Sequence, residues 1–586
     1  MNLSRRQFAA LLATVRGVAA QSPAAAESDE ILQALQQELE RSKALKLANL
    51  PSPYFVEFAL DDTYSFTVSC VLGALINAVS GSSRLPRVQL RVGTPEFDNT
   101  NYMFSQFFGG RMGGGRIPLE AGPLILRREF WLATDRAYKG ALQAVARKRA
   151  ALQNVTQQEK INDFAKAEPV RYVEPRQKIS IDEAAWKERT RRVSAVFDRF
   201  PQVLNSGAEF SAGFSTAYLV NTDGAAVRMS DNLFTMRLRA DSQAEDGMPI
   251  HDALVYSGRN LSDLPGEDVV LKGAEEIAGN VTALLKAPVG EDYSGPVLFE
   301  GVASPQLFAQ LLGAQLSPMR KPVAEPGRPA PVAASELEGR IGSRILPEWM
   351  DAVDDPTQTV YKGHPLFGHY PVDGEGIKPV PLKVVEKGTL KHFLLCRTPI
   401  RGFEGSNGRA RLPGPFGGAV ASYSNLFVKA TETTSKDDLK KKLLEMVQQR
   451  GKPFGIIVRK LDLPVSASAQ ELRTLAQAAS QRGGGVVSLP TLVYRVYPDG
   501  REELVRGLRF RGVNARSLRD IFAAGDDEAV FDFVGQGGSL ASISPSGYVT
   551  THTICSPSIL FEDLELEKRT DDWPKLPLVP PPPVNA

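Results

Sequence analysis

The hydrophobic pattern of the chain switches between helical and strand spacing several times, and it therefore predicts blocks of both element types. Near the N-terminus Ile31, Leu35 and Leu39 recur at helical spacing, which predicts a helix that is capped by Ser28 and ends near Leu47. Runs rich in aromatic and β-branched residues, separated by turn formers, then predict strands at residues 54–60, 64–71 and 87–92. We expect these strands to form an antiparallel sheet.

The middle of the chain repeats this alternation of helices and strands. Two polar segments with one apolar side predict helices at residues 127–164 and 181–200. Strands follow between residues 208 and 240, with a hairpin turn at 221–224 that contains an Asp-Gly pair. A helix at 267–285 ends this block, and the next glycine-rich turn predicts a domain boundary near Val289.

A second block begins with a short strand at residues 296–299 and a turn at Gly301. Ser304 and Pro305 are the predicted start of an apolar core helix that reaches Leu316. Further strands are predicted at 378–385, 389–395, 419–428, 455–458, 491–496, 502–510 and 558–566, with helices at 436–449 and 468–482. The fold class is therefore α+β, with two domains that are each a largely antiparallel sheet with packed helices.

Composition agrees with this division and excludes some functions. A chain of 586 residues exceeds what one hydrophobic core usually serves, and 42% hydrophobic with 23% charged residues is ordinary for a globular protein. The 69 basic and 67 acidic residues leave a net charge of +2 without a dense basic block, so no nucleic-acid partner is expected. No apolar run of about 18 residues occurs, so no membrane span is expected either.

The N-terminal residues have the features of an export signal. Arg5 and Arg6 precede a short apolar run, and small residues at 18–20 offer a cleavage site. This segment resembles a twin-arginine signal peptide over residues 1–26, which predicts a periplasmic or exported protein; a frayed cytoplasmic N-terminus is the alternative. The remaining chain is then divided into domains at 27–289 and 290–567, followed by a proline-rich exposed tail at 568–586.

Several segments together resemble the TldD/PmbA family of metallopeptidases and related proteins. They are the element at 98–101, the strand, turn and helix at 295–314, the glycine-rich segment at 363–376 and the polar segment at 397–411. The resemblance extends from about residue 54 to residue 566. It implies that the helix in TldD-like members carries His-Glu-x-x-x-His, in which two histidines bind zinc and the glutamate activates a water molecule.

This chain lacks that motif. Ala309 and Ala314 stand where the two histidines would be, and Gln310 replaces the glutamate. A methyl group has no lone pair for a metal, and an uncharged amide is a poor general base near neutral pH. The resemblance is therefore closer to the TldE/PmbA-like branch, and we expect neither catalytic residues nor a cofactor at this helix.

The resemblance implies a non-catalytic subunit that acts in peptide degradation or maturation. Its expected partner is a zinc-bearing TldD-like peptidase, or a second copy of the same chain in a dimer, with a peptide as the substrate. Whether the chain is itself an enzyme stays open. One alternative is an active exported metallopeptidase with relocated zinc ligands, and another is a stand-alone peptide-binding protein.

Relocated ligands would have to come from the segment around His364 and His369. With Asp373 and Glu375 these histidines place two imidazoles and two carboxylates within a dozen residues, which is enough for a divalent ion if the segment folds back on itself. A glycine-rich structural turn explains the same residues, and this is the interpretation we favour.

The cysteines are weaker candidates for a metal site. They are three, an odd number without a Cys-x-x-Cys pair, so no disulfide framework is indicated. His552 and Cys555 precede the last predicted strand. The resemblance implies a zinc-binding cysteine further upstream, nearer Ser542 and Ser544, so we expect Cys555 to be a small buried hydrophobic residue.

The resemblance also places the segment after residue 397 beside the active cleft. Its polar residues are expected to bind the carboxylate or the backbone of a peptide. These candidate substrate-binding residues are Arg401, Asn407, Arg409 and Arg411. A polar loop without a binding role is the alternative.

Overall fold

The computed structural model describes residues 29–47, 49–103, 116–153, 160–324, 334–413, 418–462, 487–537 and 549–575. The predicted signal peptide and the predicted helix at 468–482 lie outside these residues. The same holds for Ser542, Ser544 and the last part of the predicted tail, residues 576–586.

An eight-stranded sheet dominates the first half of the described chain. The strands of this half are β1 (Pro53–Val71), β2 (Ala74–Thr94), β3 (Phe97–Asp98), β4 (Tyr102–Met103), β5 (Arg171–Val173), β6 (Asn205–Asn221), β7 (Ala226–Ser230), β8 (Leu233–Gln243) and β9 (Pro249–Gly258). The sheet order is β3-β2-β1-β6-β7-β5, β8 joins β6 to β9, and only the β5–β7 pair is parallel. β1 and β2 form one long hairpin across Leu72 and Gly73, which both have positive φ.

Four helices pack on one face of this sheet: α1 (Glu30–Ser42), α2 (Pro123–Leu152), α3 (Glu183–Ala195) and α4 (Glu267–Lys286). In β1, Val56 and Phe58 lie in the core with α1 and α2, whereas Phe66 lies in the core with α3 and α4. Because successive side chains of a strand point to opposite faces, the odd-numbered residues of β1 face away from these helices. Phe55 and Glu57 accordingly meet residues of the second half of the chain.

An eleven-stranded sheet forms the second half of the described residues. The strands of this half, inside and outside the large sheet, are β10 (Tyr293–Phe299), β11 (Val323–Ala324), β12 (Met350–Asp354), β13 (Val360–Tyr361), β14 (His364–Pro365), β15 (Leu382–Glu386), β16 (Thr389–Leu390), β17 (Ala410–Pro413), β18 (Ala419–Ala421), β19 (Asn425–Ala430), β20 (Gly455–Leu461), β21 (Pro490–Val496), β22 (Glu502–Val505), β23 (Leu508–Arg511), β24 (Ile521–Gly537) and β25 (Val549–Lys568). The order is β16-β15-β12-β19-β25-β10-β20-β21-β22, and β23 and β24 also pair with β25. The remaining short strands form two-stranded ladders, including β4 with β11.

Helices cover both faces of this second sheet. They are α5 (Ala303–Leu311) and α6 (Lys436–Gln449). Val297 and Phe299 of β10 lie in the core with Leu307 of α5, whereas Leu298 between them packs with Leu439 of α6. The strand alternation therefore assigns each helix to its own face.

The predicted α+β class is confirmed, with two large sheets that are mostly antiparallel. Parallel pairs occur in both sheets: β5–β7 in the first, and β10–β20 and β19–β25 in the second. The domain boundary near Val289 stays a prediction, although the first sheet ends at Gly258 and the second begins at Tyr293. In the described ranges, no helix has the length and apolar character needed to cross a membrane.

Some predicted element bounds were wrong for identifiable reasons. The first helix is capped by Asp29, whose carboxylate accepts hydrogen bonds from the backbone of Ile31 and Leu32, and it ends at Ser42. The two strands predicted at 54–60 and 64–71 are one strand, because the polar break between them still pairs with β2; there Asp62 lies 3.4 Å from Arg84.

The described first part of the predicted tail packs against the first half of the chain. Gln243 donates a hydrogen bond to the carbonyl of Pro574 at 2.6 Å, and the half-buried Trp573 packs against the core of α3 and α4. The first residues after β25 thus return to the first sheet.

Candidate functional site

The segment that corresponds to the zinc-binding helix of TldD-like proteins has the predicted strand, turn and helix, but the helix begins at Ala303 and ends at Leu311, five residues before the predicted end. β10 enters a turn at Gly301, whose φ is +59°, and α5 follows from Ala303. Ser304 does not cap the helix, because it already lies in the first turn. Its hydroxyl donates to the carbonyl of Pro557 at 2.6 Å and lies 3.0 Å from the Ser556 hydroxyl, which ties α5 to β25.

Of the three positions of the absent motif, Ala309 and Gln310 have structural roles and Ala314 has none. Ala309 is 3% exposed and lies in the main core of the second half. Gln310 uses both ends of its amide: Nε2 donates to the Gln306 carbonyl and the Ser488 hydroxyl, and Oε1 accepts from the Ser488 backbone at 2.7 Å. Ala314 follows in a 3₁₀ turn and is exposed.

The residues present do not fit a zinc centre at this helix. Two methyl groups supply no ligand, and the amide is fully engaged in hydrogen bonds to its own fold. Across the ranges that the structure describes, no three His, Cys, Asp or Glu side chains are grouped so that they could hold a metal.

The relocated ligand set is not brought together either. His364 Nε2 lies 2.5 Å from Asp532, and this hydrogen bond outweighs partial burial and raises the histidine pKa. His369 Nδ1 lies 2.6 Å from the Leu366 carbonyl, and burial lowers its pKa. Glu375 accepts a hydrogen bond from the Arg397 backbone at 2.7 Å.

Asp373 forms the structural turn that the sequence favours. Its carboxylate accepts from the backbone of Glu375 and Ile377 at 2.9 Å each and from Ala410 at 3.0 Å. These three bonds fold the glycine-rich segment back onto β17. The segment therefore resembles a rigid corner rather than a set of free ligands.

His552 and Cys555 lie within β25, whereas the sequence placed them before the last strand. His552 is sandwiched between Tyr423 and Phe533, and burial together with the charge of Arg411 lowers its pKa to about 3. Cys555 is 3% exposed and burial raises its thiol pKa to about 12. The prediction of a small buried hydrophobic residue agrees with this position.

The four candidate peptide-binding residues have different environments. Arg401 is exposed, and Asn407 is used within its own loop, where it bonds to the backbone of Phe393 and Leu395. Arg409 is completely buried and pairs with the buried Asp354 at 2.9 Å, so it is not available to a ligand. Arg411 lines two cavities between the two sheets.

A groove of about 380 Å³ lies between β9 of the first sheet and the second half, next to the start of α5. Val302 and Gln306 of α5 contribute to its wall. Two ion pairs join its sides: Lys460 lies 2.5 Å from Asp252, and His251 lies 3.1 Å from Asp462. The other lining residues mix apolar and acidic side chains, among them Leu254, Tyr256, Asp263, Leu461, Phe531 and Asp532.

Sequence reasoning missed the buried charges that join the two sheets. Arg397 is 3% exposed; it donates to the Ala165 carbonyl at 2.9 Å, pairs with Asp223 at 2.6 Å and lies 3.9 Å above the Phe164 ring. Glu57 of β1 is buried close to it, and this burial raises the pKa of Glu57 to about 7. A charged residue among hydrophobic ones in β1 was the available signal, but Glu375 and Arg397 lie more than 300 residues further along the chain.

Comparison with known proteins supports the resemblance. Residues 296–463 match the family model described as the PmbA/TldA metallopeptidase C-terminal domain. A protein described as a metalloprotease from Archaeoglobus fulgidus is 36% identical over 81 residues, which are 14% of this chain and 18% of that relative. The chain thus spans less than a fifth of the length of this curated relative.

Solved structures extend the likeness of fold to most of the chain. TldE from Thermococcus kodakarensis aligns with a TM-score of 0.56 and 13% identity, over 91% of this chain and 100% of that one. A putative modulator of DNA gyrase from Thermotoga maritima aligns with a TM-score of 0.52 and 17% identity, over 87% and 96% of the two chains. The resemblance to the TldD/PmbA family that the sequence predicts is confirmed.

Proposed function

We propose that this chain, a relative of the TldD/PmbA metallopeptidases, is a non-hydrolytic subunit similar to the TldE branch. It pairs with a zinc-bearing TldD-like peptidase, or with a second copy of itself, in the degradation or maturation of peptides. The chain contributes a structural helix in place of a zinc site. Within the pair, this chain completes the protein surface that surrounds the bound peptide.

One observation carries this proposal. The side chain of Gln310 is locked by three hydrogen bonds to Gln306 and Ser488, at the position where a hydrolytic member needs a free carboxylate. Ala309 beside it is part of the core. Both positions serve packing, so this helix has no group that binds a metal or activates water.

The groove between the sheets supports a peptide as the substrate. Its volume of about 380 Å³ accommodates several side chains, and it combines apolar walls with hydrogen-bonding groups, as is typical of ligand sites. It begins at the N-terminal end of α5. A peptide bound there contacts the same helix that carries the zinc site in hydrolytic relatives.

Metal analysis tests the proposal. We expect the purified full chain to contain far less than one zinc per chain and to show no chelator-sensitive peptidase activity. A complex with a TldD-like partner should gain zinc through the partner alone. Gln310→Ala should leave the peptidase activity of that complex unchanged per folded complex, because the amide takes no part in hydrolysis.

The alternative with relocated ligands makes the opposite prediction. Stoichiometric zinc in the chain isolated alone, lost together with activity in His369→Ala, would refute the proposal. Full zinc retention in His369→Ala together with chelator-sensitive activity would point to ligands elsewhere in the chain, which also contradicts it.

A further inference from the structure

Arg411 has an environment unlike that of Arg259 and Arg409, two other arginines at the contact between the two sheets. Its Nη2 donates to the Thr551 hydroxyl at 3.0 Å, and Nη1 makes a long contact of 3.4 Å to the Gly368 carbonyl. The guanidinium lies 4.3 Å from the centre of the Tyr370 ring. No carboxylate of the described residues lies within ion-pair distance of it, which is an unusual state for an arginine in an interior position.

Two neighbouring arginines show the contrast. Arg409, two residues earlier, is neutralised by Asp354 and also donates to three backbone carbonyls. Arg259 shares the Thr551 hydroxyl with Arg411, but it is paired with Asp231 at 2.6 Å and donates to two carbonyls. Arg411 therefore retains N–H donors that the described fold does not use.

These donors face space between the sheets. Arg411 lines a cavity of about 100 Å³ and a smaller one of about 40 Å³, and the two share Arg87, Gly374, Ala410 and Arg411 in their walls. The larger cavity has room for a carboxylate group and a few adjoining atoms. The wall of the larger cavity also holds three carboxylates, those of Asp61, Asp231 and Asp373. Asp231 is paired with Arg259, and Asp373 accepts three backbone hydrogen bonds, so neither is a direct partner of Arg411.

We propose that Arg411 binds a carboxylate of the peptide ligand in this cavity, and that Arg401, Asn407 and Arg409 do not. The planar guanidinium suits a carboxylate because it offers two parallel N–H donors, and binding would supply the direct ionic partner that the described fold does not provide. Burial lowers the pKa of Arg411 and the charge of Arg259 lowers it further, whereas Tyr370, Asp231 and Asp354 oppose this effect. The inference rests on the proposed function in one respect, that the ligand is a peptide. It places the carboxylate of that peptide outside the groove beside α5, because the cavity at Arg411 and the groove share no lining residue.

Binding of fluorescein-labelled octapeptide pools to the full chain tests this inference. The first pool is randomised over neutral residues and ends in a free carboxylate; the second is the same pool with a C-terminal amide. The third is amidated and has one glutamate at its centre. We expect the wild type to bind the first pool at least about tenfold more tightly than the second.

The variants are Arg411→Gln, Arg411→Lys and, as a matched control from the same segment, Arg401→Gln. Arg411→Gln should bind the first two pools equally, Arg411→Lys should keep part of the difference, and Arg401→Gln should behave as the wild type. Arg411→Gln should melt close to the wild-type temperature, because the removal of a charge without a direct ionic partner offsets the loss of the bond to Thr551 and of the contact with Tyr370. This last result separates a binding residue from a structural one.

Each outcome has a defined meaning. Tight binding of the third pool assigns the carboxylate to an acidic side chain, and weak binding of it assigns the carboxylate to the peptide terminus. Equal binding of all pools by the wild type, or an unchanged preference in Arg411→Gln, overturns the inference and leaves peptide binding intact. Failure of every pool to bind, with or without a TldD-like partner, overturns the proposed peptide function as well.

Discussion

At the residue scale, Gln310 shows how one amide of α5 is used for stability. Its amide both donates and accepts, so it satisfies the Gln306 carbonyl one turn earlier and both the hydroxyl and the backbone N–H of Ser488. A carboxylate at this position accepts only. The hydrogen-bond pattern itself therefore selects an amide.

Gln310→Glu should destabilise the fold by about 1–3 kcal/mol at neutral pH, because the carboxylate faces the Gln306 carbonyl without a proton to share. Urea unfolding of the purified chain measures this. The cost should shrink as the pH falls and the introduced glutamate becomes protonated, since a protonated carboxyl group donates again.

Gln143→Glu is the control for this prediction. Gln143 is exposed in the middle of α2, with Lys139 and Arg147 one turn away on either side, so its replacement should change stability by less than about 0.5 kcal/mol. Equal losses in the two variants would show that the Ser488 contact does not stabilise the fold.

At the element scale, the segment between β16 and β17 holds the two sheets together although it has little regular structure. Its residue Arg397 reaches across to the first half, where it bonds to the Ala165 carbonyl and Asp223 and stacks on Phe164. A flexible connection would not hold the Arg397 side chain in a position where it is only 3% exposed. Backbone bonds to Glu375 and to the neighbouring loop fix the segment in place.

Arg397→Ala should lower the free energy of unfolding by about 3 kcal/mol, since it leaves the Ala165 carbonyl and Asp223 without their partner. Arg397→Lys should recover only part of this loss, because a lysine cannot make both bonds and stack on the ring. Thermal and urea unfolding report both effects.

Arg401→Ala provides the comparison, four residues further along the same segment and exposed. Its effect should remain within about 0.5 kcal/mol. If Arg397→Ala proved equally mild, the contact between the sheets would depend on other groups.

Sequence patterns predicted the helices and strands of this fold better than they predicted the residues that hold these elements together. Apolar spacing located α4 and α6 almost to the residue, because each helix buries one continuous stripe. The site was predicted less well. The pairing of Arg409 with Asp354 and the insertion of Arg397 depend on chain segments 55 and more residues apart, and no local spacing reveals such contacts.

At the scale of the whole molecule, the face of β1 opposite its helices meets the second half through charged groups rather than through an apolar core. Glu57 on this face is 3% exposed. Burial, opposed by Arg87 and reinforced by Glu375, raises its pKa to about 7. In an unfolded chain the same carboxyl group has its ordinary pKa of about 4.3.

This difference makes the contact between the sheets sensitive to pH. The folded chain holds a proton on Glu57 that the unfolded chain has lost, so the contribution to stability is complete below about pH 4.3 and is lost as the pH rises through 7. Glu57→Gln should therefore gain stability relative to the wild type between pH 5 and pH 8, by on the order of 2 kcal/mol.

Urea unfolding of both proteins at several pH values measures this gain. Glu209→Gln on β6 is the control, because that side chain is exposed to water and its replacement should give a nearly constant difference. A constant difference for Glu57→Gln as well would contradict a buried proton at this position.

The position of β25 in the second sheet sets the order in which that half can assemble. It joins β10, β19, β23 and β24, yet the ribosome makes it after all four of them. Until β25 has been made, one edge of the early strand β10 lacks its partner, because that partner lies about 260 residues further along the chain. Such a long-range pairing is slow to form, and the unpaired edge is exposed to aggregation. The second half therefore becomes a finished structure only after β25 has been made.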